Sequence, residues 1–191
     1  MNKFTTVPNV TFKYRVRTDG KPITYVDTTN GGANPFDWQD VTTADIFDGK
    51  RVVVFSLPGA YTPTCSTMQV PGFEAAYNEM RALDVDEVYV ISVNDTFVMR
   101  RWMIDQGIKN IKFIPDGTGE FTQKMGMLVC KDNLGFGDRS WRYAMVVTDG
   151  VVEQAFVEPG KEDNCATDPY SESSPENVLA YLKKVAAEQA A

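Results

Sequence analysis

The chain contains no histidine. That absence removes Ser-His-Asp and Cys-His catalysis, histidine-ligated metal and haem, and leaves any anionic nucleophile to be stabilised by arginine, lysine or backbone N–H groups. Cysteine is scarce as well: Cys65, Cys130 and Cys165 are the three in 191 residues, too few for a disulfide framework and too widely spaced for a zinc ribbon. No Cys-x-x-Cys pair occurs, so a thioredoxin-type dithiol centre is absent. No stretch approaches the roughly 18 apolar residues of a membrane span, and residues 1–6 lead into no signal-peptide core. Positive charge is the minority: 19 Lys and Arg against 26 Asp and Glu leave a net charge of −7, which argues against nucleic acid and anionic membrane surfaces as partners. These absences predict a cytoplasmic protein. Its length and 43% hydrophobic content suit a single domain, 1–191, with no internal repeat.

What is present centres on residues 56–66, SLPGAYTPTCS, which join an apolar run to a helical pattern. Thr62 suits a helix N-cap and Pro63 the first helical position, which places Cys65 three residues after the cap. There the sulfur would face unpaired backbone N–H groups and the positive end of the helix dipole. Such positions lower a thiol pKa from about 8.5 toward 6 or 7. A lone cysteine is more often a small buried hydrophobe, but two prolines, a glycine and two threonines in the eight residues before this one describe a shaped loop, where function concentrates.

Residues 9–17 alternate apolar and polar side chains as an amphipathic strand, and 23–26 form a second short run. Residues 30–35 read as a loop and 43–47 as one helical turn. Residues 51–57 (RVVVFSL) have the continuous apolar character of a central strand buried on both faces. Val70, Phe73, Tyr77 and Met80 then line one face of a helix ending near Leu83, which Pro71-Gly72 should interrupt after about two turns. A strand at 87–93, a helix capped by Asp95 and stopped by Gly107, a strand at 111–114 and a short helix at 120–125 follow. Residues 143–147 and 151–157 form a hairpin across Asp149-Gly150. A polar loop, 160–174, leads to a closing helix, 174–188, started by Ser174 and Pro175. The order β-α-β-α-β-β-α predicts a thioredoxin-like α/β fold, a central mixed sheet flanked by helices, with residues 1–50 as an N-terminal β extension packed on it.

Without histidine, the cation partner of Cys65 must be arginine or lysine. Arg142 stands at the start of an apolar strand; a single arginine in such a place is more often a solvated strand edge. Pro58, Thr62 and Cys65 fit the pattern P-x-x-x-T-x-x-C, and Arg142 precedes the strand YAMVV. With VVVFSLPGAYTPTCS, ISVNDTFVM, FIPDGTGEFTQKMGMLV and GFGDRSWRY, these residues resemble the peroxiredoxin family, in its atypical type II branch, which includes the peroxiredoxin half of bacterial peroxiredoxin–glutaredoxin fusions. The match runs from about residue 40 to 159.

The resemblance implies a peroxidase for hydrogen peroxide and alkyl hydroperoxides, with Cys65 as the peroxidatic thiolate, Thr62 hydrogen-bonding the peroxide, Arg142 holding thiolate and oxidant, and Pro58 excluding water. Thr64 and Phe136 would line the substrate pocket. Lowering a thiol pKa from about 8.5 to 6 raises the thiolate fraction at pH 7 from about 3% to 90%, only about thirtyfold; greater acceleration requires donors that bind the developing charge on oxygen. No bound cofactor is implied. The reductant would be an external thiol, glutathione with glutaredoxin or else thioredoxin, with an internal Cys65–Cys165 disulfide as the alternative and Cys130 a buried bystander. The family also implies a homodimer, with contacts near Phe136, Trp141 and the Cys65 loop. The rival from another class is a non-catalytic thioredoxin-fold binding module, which would have no need of Pro58, Thr62, Cys65 and Arg142 together.

Overall fold

The computed structural model describes residues 5–21 and 34–191; the expected run at 23–26 lies outside the described residues. Strand β1 (Thr11–Arg17) pairs antiparallel with β2 (Phe36–Thr42), from Thr11 opposite Thr42 to Arg17 opposite Phe36. The strand β2 was not expected. Only Phe36 of its seven residues is buried, so it carries no apolar alternation, and a partner about twenty residues upstream specifies it through the backbone ladder. Helix α1 (Thr43–Phe47) starts with a reciprocal cap: Thr42 Oγ1 accepts from the Asp45 N–H at 3.2 Å and Asp45 Oδ2 accepts from the Thr42 N–H at 2.7 Å.

Strand β3 (Arg51–Ser56) is central. After it come α2 (Val70–Arg81), β4 (Glu87–Ser92), α3 (Thr96–Asp105), β5 (Lys112–Pro115) and α4 (Glu120–Lys124). Then follow the short pair β6 (Leu128–Cys130) and β7 (Asp138–Ser140), the hairpin β8 (Tyr143–Thr148) and β9 (Val151–Val157), and α5 (Pro175–Ala190). The main sheet has the order β5-β4-β3-β8-β9, parallel across β5-β4-β3 and antiparallel beyond, the mixed thioredoxin-like sheet expected. The β8–β9 turn has both central residues at positive φ, Asp149 at 48° and Gly150 at 75°, as the twist of a two-residue hairpin requires.

Because side chains alternate along a strand, β3 feeds two cores. Val52 and Val54 face one with Phe47, Phe121, Trp141 and Tyr143, beneath α1, α4 and the β1–β2 ribbon. Val53 and Phe55 face the other, with Phe73, Trp102, Val178 and Leu182 from α2, α3 and α5. Gly72 lets α5 approach α2: a Cβ there would lie 3.2 Å from Pro175 Cγ. Phe55, fully buried, stacks on Phe73 with centroids 4.0 Å apart. Phe55→Ala is expected to lower unfolding free energy by about 3–5 kcal/mol, read as a fall in urea midpoint at unchanged m-value.

Candidate active site

After β3 the alternation continues to Leu57, which faces the same core as Phe55. The chain then turns sharply through buried Pro58 and Gly59. The Ala60 N–H donates to Asn94 Oδ1 at 3.0 Å, and that oxygen also accepts from Ser92 Oγ at 2.6 Å, tying the turn to the end of β4. A Cβ at Gly59 would sit 2.7 Å from Arg139 Nη1. Tyr61 takes φ 65°, and helical conformation begins at Pro63, with the Ser66 N–H donating to the Thr62 carbonyl at 3.0 Å.

Two local expectations are corrected here. Thr62 Oγ1 does not cap the Cys65 N–H; it donates to the Gly59 carbonyl at 2.8 Å, which commits its proton and leaves its lone pairs to accept from elsewhere. Pro71-Gly72 does not break the helix. Pro71 lies in the first turn of α2, where a missing N–H is tolerated, and the irregularity falls one turn earlier: Cys65–Gln69 is a π-helical turn, closed by the Val70 N–H on the Cys65 carbonyl.

The register of β8 on β3 brings up the cation. Ser56 pairs with Tyr143, so Arg142 lies just past the end of β3, where the Cys65 loop begins. It also shares the parity of Ala144 and Val146, which face the core holding Cys65. Cys65 is fully buried and Arg142 only 1% exposed. Arg142 Nη1 lies 3.4 Å from Cys65 Sγ and donates to Gln69 Oε1 as well. Its Nη2 donates to both Asp168 carboxylate oxygens, at 2.6 and 2.8 Å, and the Tyr170 ring lies 5.6 Å from the guanidinium carbon. Arg142 Nε is buried without an acceptor among the described residues. Burial pulls the Arg142 pKa down, but the sulfur of Cys65 and the Asp168 carboxylate outweigh it and hold the guanidinium above its ordinary value. Burial, with nearby carboxylates, pushes the Tyr170 phenol up to about 12.

The loop 160–174 is pinned at both ends. The Asn164 N–H donates to the Cys130 carbonyl at 2.7 Å, and Asp163 Oδ1 accepts from the Cys130 N–H at 2.8 Å. At the other end the buried Glu158 carboxylate accepts from the N–H groups of Ser171, Glu172 and Ser173 at 2.7, 3.1 and 3.0 Å. Burial pushes Glu158 up; these donors outweigh it and hold the carboxyl below its ordinary value.

Pro58, Thr62, Cys65 and Arg142 therefore gather at one end of the sheet, with half-buried Thr64 in the first helical turn. Phe136 is linked to them through Arg139: its ring lies 5.5 Å from the Arg139 guanidinium carbon, and Arg139 Nη1 reaches the Pro58 carbonyl at 3.5 Å. Cys165 is buried in the core opposite the one that holds Cys65, and the two are not bonded. Cys130, expected to be buried, is half-exposed, and all three cysteines are free. Trp141, expected at a contact between copies, is buried within the chain with Nε1 donating to the Glu158 carbonyl at 2.8 Å. Gln69, Asn94, Asp168 and Tyr170 went unassigned in the sequence. Gln69 carried a usable signal, a polar residue four after Cys65 on the stripe that continues to Phe73; Asp168 carried none. Among the described residues no cluster of three or more His, Cys, Asp or Glu is arranged to hold a metal ion, and no helix is long and apolar enough to cross a membrane.

A buried thiol held by a guanidinium at a helix start, on a thioredoxin-like sheet, defines a cysteine-based redox enzyme. The redoxin family model matches residues 6–178. A peroxiredoxin of Rhizobium etli is 59% identical over 177 residues, covering 93% of this chain and 94% of that one. A hybrid peroxiredoxin of Haemophilus influenzae is 52% identical over 145 residues, 76% of this chain and 58% of that one. The crystal structure of a Plasmodium falciparum antioxidant protein, a 1-Cys peroxiredoxin, superposes with a TM-score of 0.83 at 37% identity, covering 95% of this chain and 99% of that one. The chain belongs to the redoxin family and is a peroxiredoxin of the atypical type, a thiol peroxidase.

The Glu158 anchor is testable through pH. A carboxyl held below its ordinary value contributes stability that is present above the unfolded pKa, near 4.5, and is lost as pH falls through the lower folded value. The stability difference between wild type and Glu158→Gln, from urea unfolding at a series of pH values, should be full at pH 6–7 and shrink below about pH 4.5.

Proposed function

We propose that the protein reduces hydrogen peroxide and small alkyl hydroperoxides at Cys65, with Thr62, Arg142 and Pro58 completing the reacting site and Thr64 and Phe136 bordering it. The observation that carries this reading is the 3.4 Å approach of Arg142 Nη1 to the buried Cys65 sulfur. The thiolate attacks one peroxide oxygen; the S–O bond forms as the O–O bond breaks. Sulfur is oxidised to sulfenic acid, and the departing oxygen takes a proton and leaves as water or alcohol. Thr62 Oγ1, its proton committed to Gly59, accepts from the peroxide O–H and orients it. The Arg142 Nε–H, which has no acceptor among the described residues, and the first-turn amides of Thr64 and Cys65 oppose the charge developing on oxygen. Buried Pro58 walls the sulfur from bulk water.

The sulfenic acid is reset by an external thiol: glutathione condenses with it, releasing water and leaving a mixed disulfide, which glutaredoxin with a second glutathione reduces. Cys165, buried in the opposite core, favours this route over an internal disulfide, as does the single-cysteine name of the Plasmodium relative. Thioredoxin is the alternative reductant. Such an enzyme serves antioxidant defence and redox homeostasis in the cytoplasm. The exposed side chains of Tyr61 and Met68, 50% and 56% accessible beside the site, offer the contact for a homodimer, to be checked by sedimentation; a monomer at working concentration would exclude it.

With dithiothreitol or glutathione as reductant, Cys65→Ser should abolish peroxide consumption; equal consumption by wild type and variant would leave the binding-module reading. Arg142→Met should keep the fold, by circular dichroism, and lose about 10²–10³-fold in rate; near-normal turnover would move its role to Arg139. After one equivalent of peroxide with glutathione present, mass spectrometry should find glutathione on Cys65, and a Cys65–Cys165 disulfide instead would overturn the external route.

A further inference from the structure

We infer that Asp168 is a positioning residue of the peroxidase reaction, holding the Arg142 guanidinium in register with Cys65 from the strap of residues 160–174. The pair is asymmetric. The Arg142 side chain is 2% exposed and the Asp168 side chain 45%, so the carboxylate could be solvated without cost to the core, whereas the guanidinium is buried. The pair uses both carboxylate oxygens on a single nitrogen, Nη2. Nη2 is thereby committed to the carboxylate. Nη1 is left to sulfur and Gln69, and Nε–H remains the guanidinium donor without an acceptor among the described residues.

The strap is built to present that carboxylate. Glu158 grips residues 171–173, and its own N–H donates to the Arg142 carbonyl at 3.2 Å, so the anchor and the arginine share one stretch of backbone. Asn164 holds the far end on Cys130, and between the two anchors Asp168 and Tyr170 meet the guanidinium. The charged and titratable groups around Cys65 and Arg142 are Asp168 and Tyr170 of the strap, Glu158 beyond β9, Glu176 of α5 behind Tyr170, and Arg139 of β7 on the Pro58 side. Of these, Asp168 is the carboxylate in direct contact with the guanidinium among the described residues.

Two effects follow. The carboxylate offsets part of the charge that holds the thiolate, and a less tightly held thiolate is the better nucleophile, since intrinsic reactivity falls as a thiol becomes more acidic. It also prevents the guanidinium from swinging, which keeps Nε–H aimed where the oxidant binds.

Resting on Cys65 as the reacting thiol, the inference predicts two changes in Asp168→Asn that a merely structural role would not combine. The ratio of Cys65 alkylation by iodoacetamide at pH 6 to that at pH 9, followed on the Cys65 peptide by mass spectrometry, should rise about threefold or more as more of Arg142's charge acts on sulfur. The pH-independent rate constant with hydrogen peroxide should fall about ten- to hundredfold. Asp168→Glu, which keeps the charge on a longer arm, should restore the alkylation ratio while the peroxide rate stays low. Any other combination in Asp168→Asn, including both quantities unchanged or the ratio falling with the rate, overturns the inference. Turnover surviving in Cys65→Ser, measured alongside, would instead remove the peroxidase assignment of Cys65.

Discussion

A buried guanidinium is the constraint around which this structure is arranged. Arg142 is buried at the end of β8, and a buried charge is tolerated only with anionic and hydrogen-bonding partners in place. The partners come from separate elements: the sulfur of Cys65 and the amide of Gln69 from the π turn, and the carboxylate of Asp168 from the strap. Each must be in position for the arginine to remain buried, so the contact that makes a nucleophile also knits three distant segments. Stability and reactivity are here the same interaction seen from its two ends.

The π turn is the yielding part of that arrangement. Cys65 and Gln69 both lie in it, and it is closed by a bond from Val70 to the Cys65 carbonyl, a wider loop than an α-helical turn. The segments on either side are firm: β3 is buried in the middle of the sheet, and α2 is packed against β4 and α5. Outward movement of the sulfur toward a second thiol therefore requires only a short, irregular segment to unwind, with loss of the Arg142 contacts to Cys65 and Gln69 together. The strap that carries Asp168 is anchored separately from that turn, by Glu158 and Cys130.

Much of this was legible in the residue pattern because it is local. Continuous apolar runs marked β3, β4 and β8; helical spacing marked α2, α3 and α5; Asp95, Ser174 and Asp149-Gly150 marked caps and a turn. Cys65 and Thr62 stood out in their shaped loop, and Pro58 and Arg142 through the resemblance to peroxiredoxins. The features that were misread depend on partners remote in the chain. Strand β2 has almost no buried side chain and exists because β1 lies beside it. The Thr62 hydroxyl chose the Gly59 carbonyl over the Cys65 amide once the turn at 58–61 brought that carbonyl within reach. Pro71 passed for a helix breaker because nothing local says that a π turn precedes it.

The sequence by itself determined which chemistry was possible: with no histidine and one cysteine in a shaped loop, a thiolate supported by arginine and backbone amides was the nucleophile available. Tertiary structure decided which groups meet that thiolate. Arg142 faces Cys65 because of strand register and side-chain parity, Cys165 is buried in the opposite core, and Asp168 arrives from a loop whose path is set by a buried glutamate. Spacing along the chain records only neighbours within a turn or a pleat. Contacts made across 26 or 77 residues, as Arg142 makes with Asp168 and Cys65, depend on how the sheet is ordered.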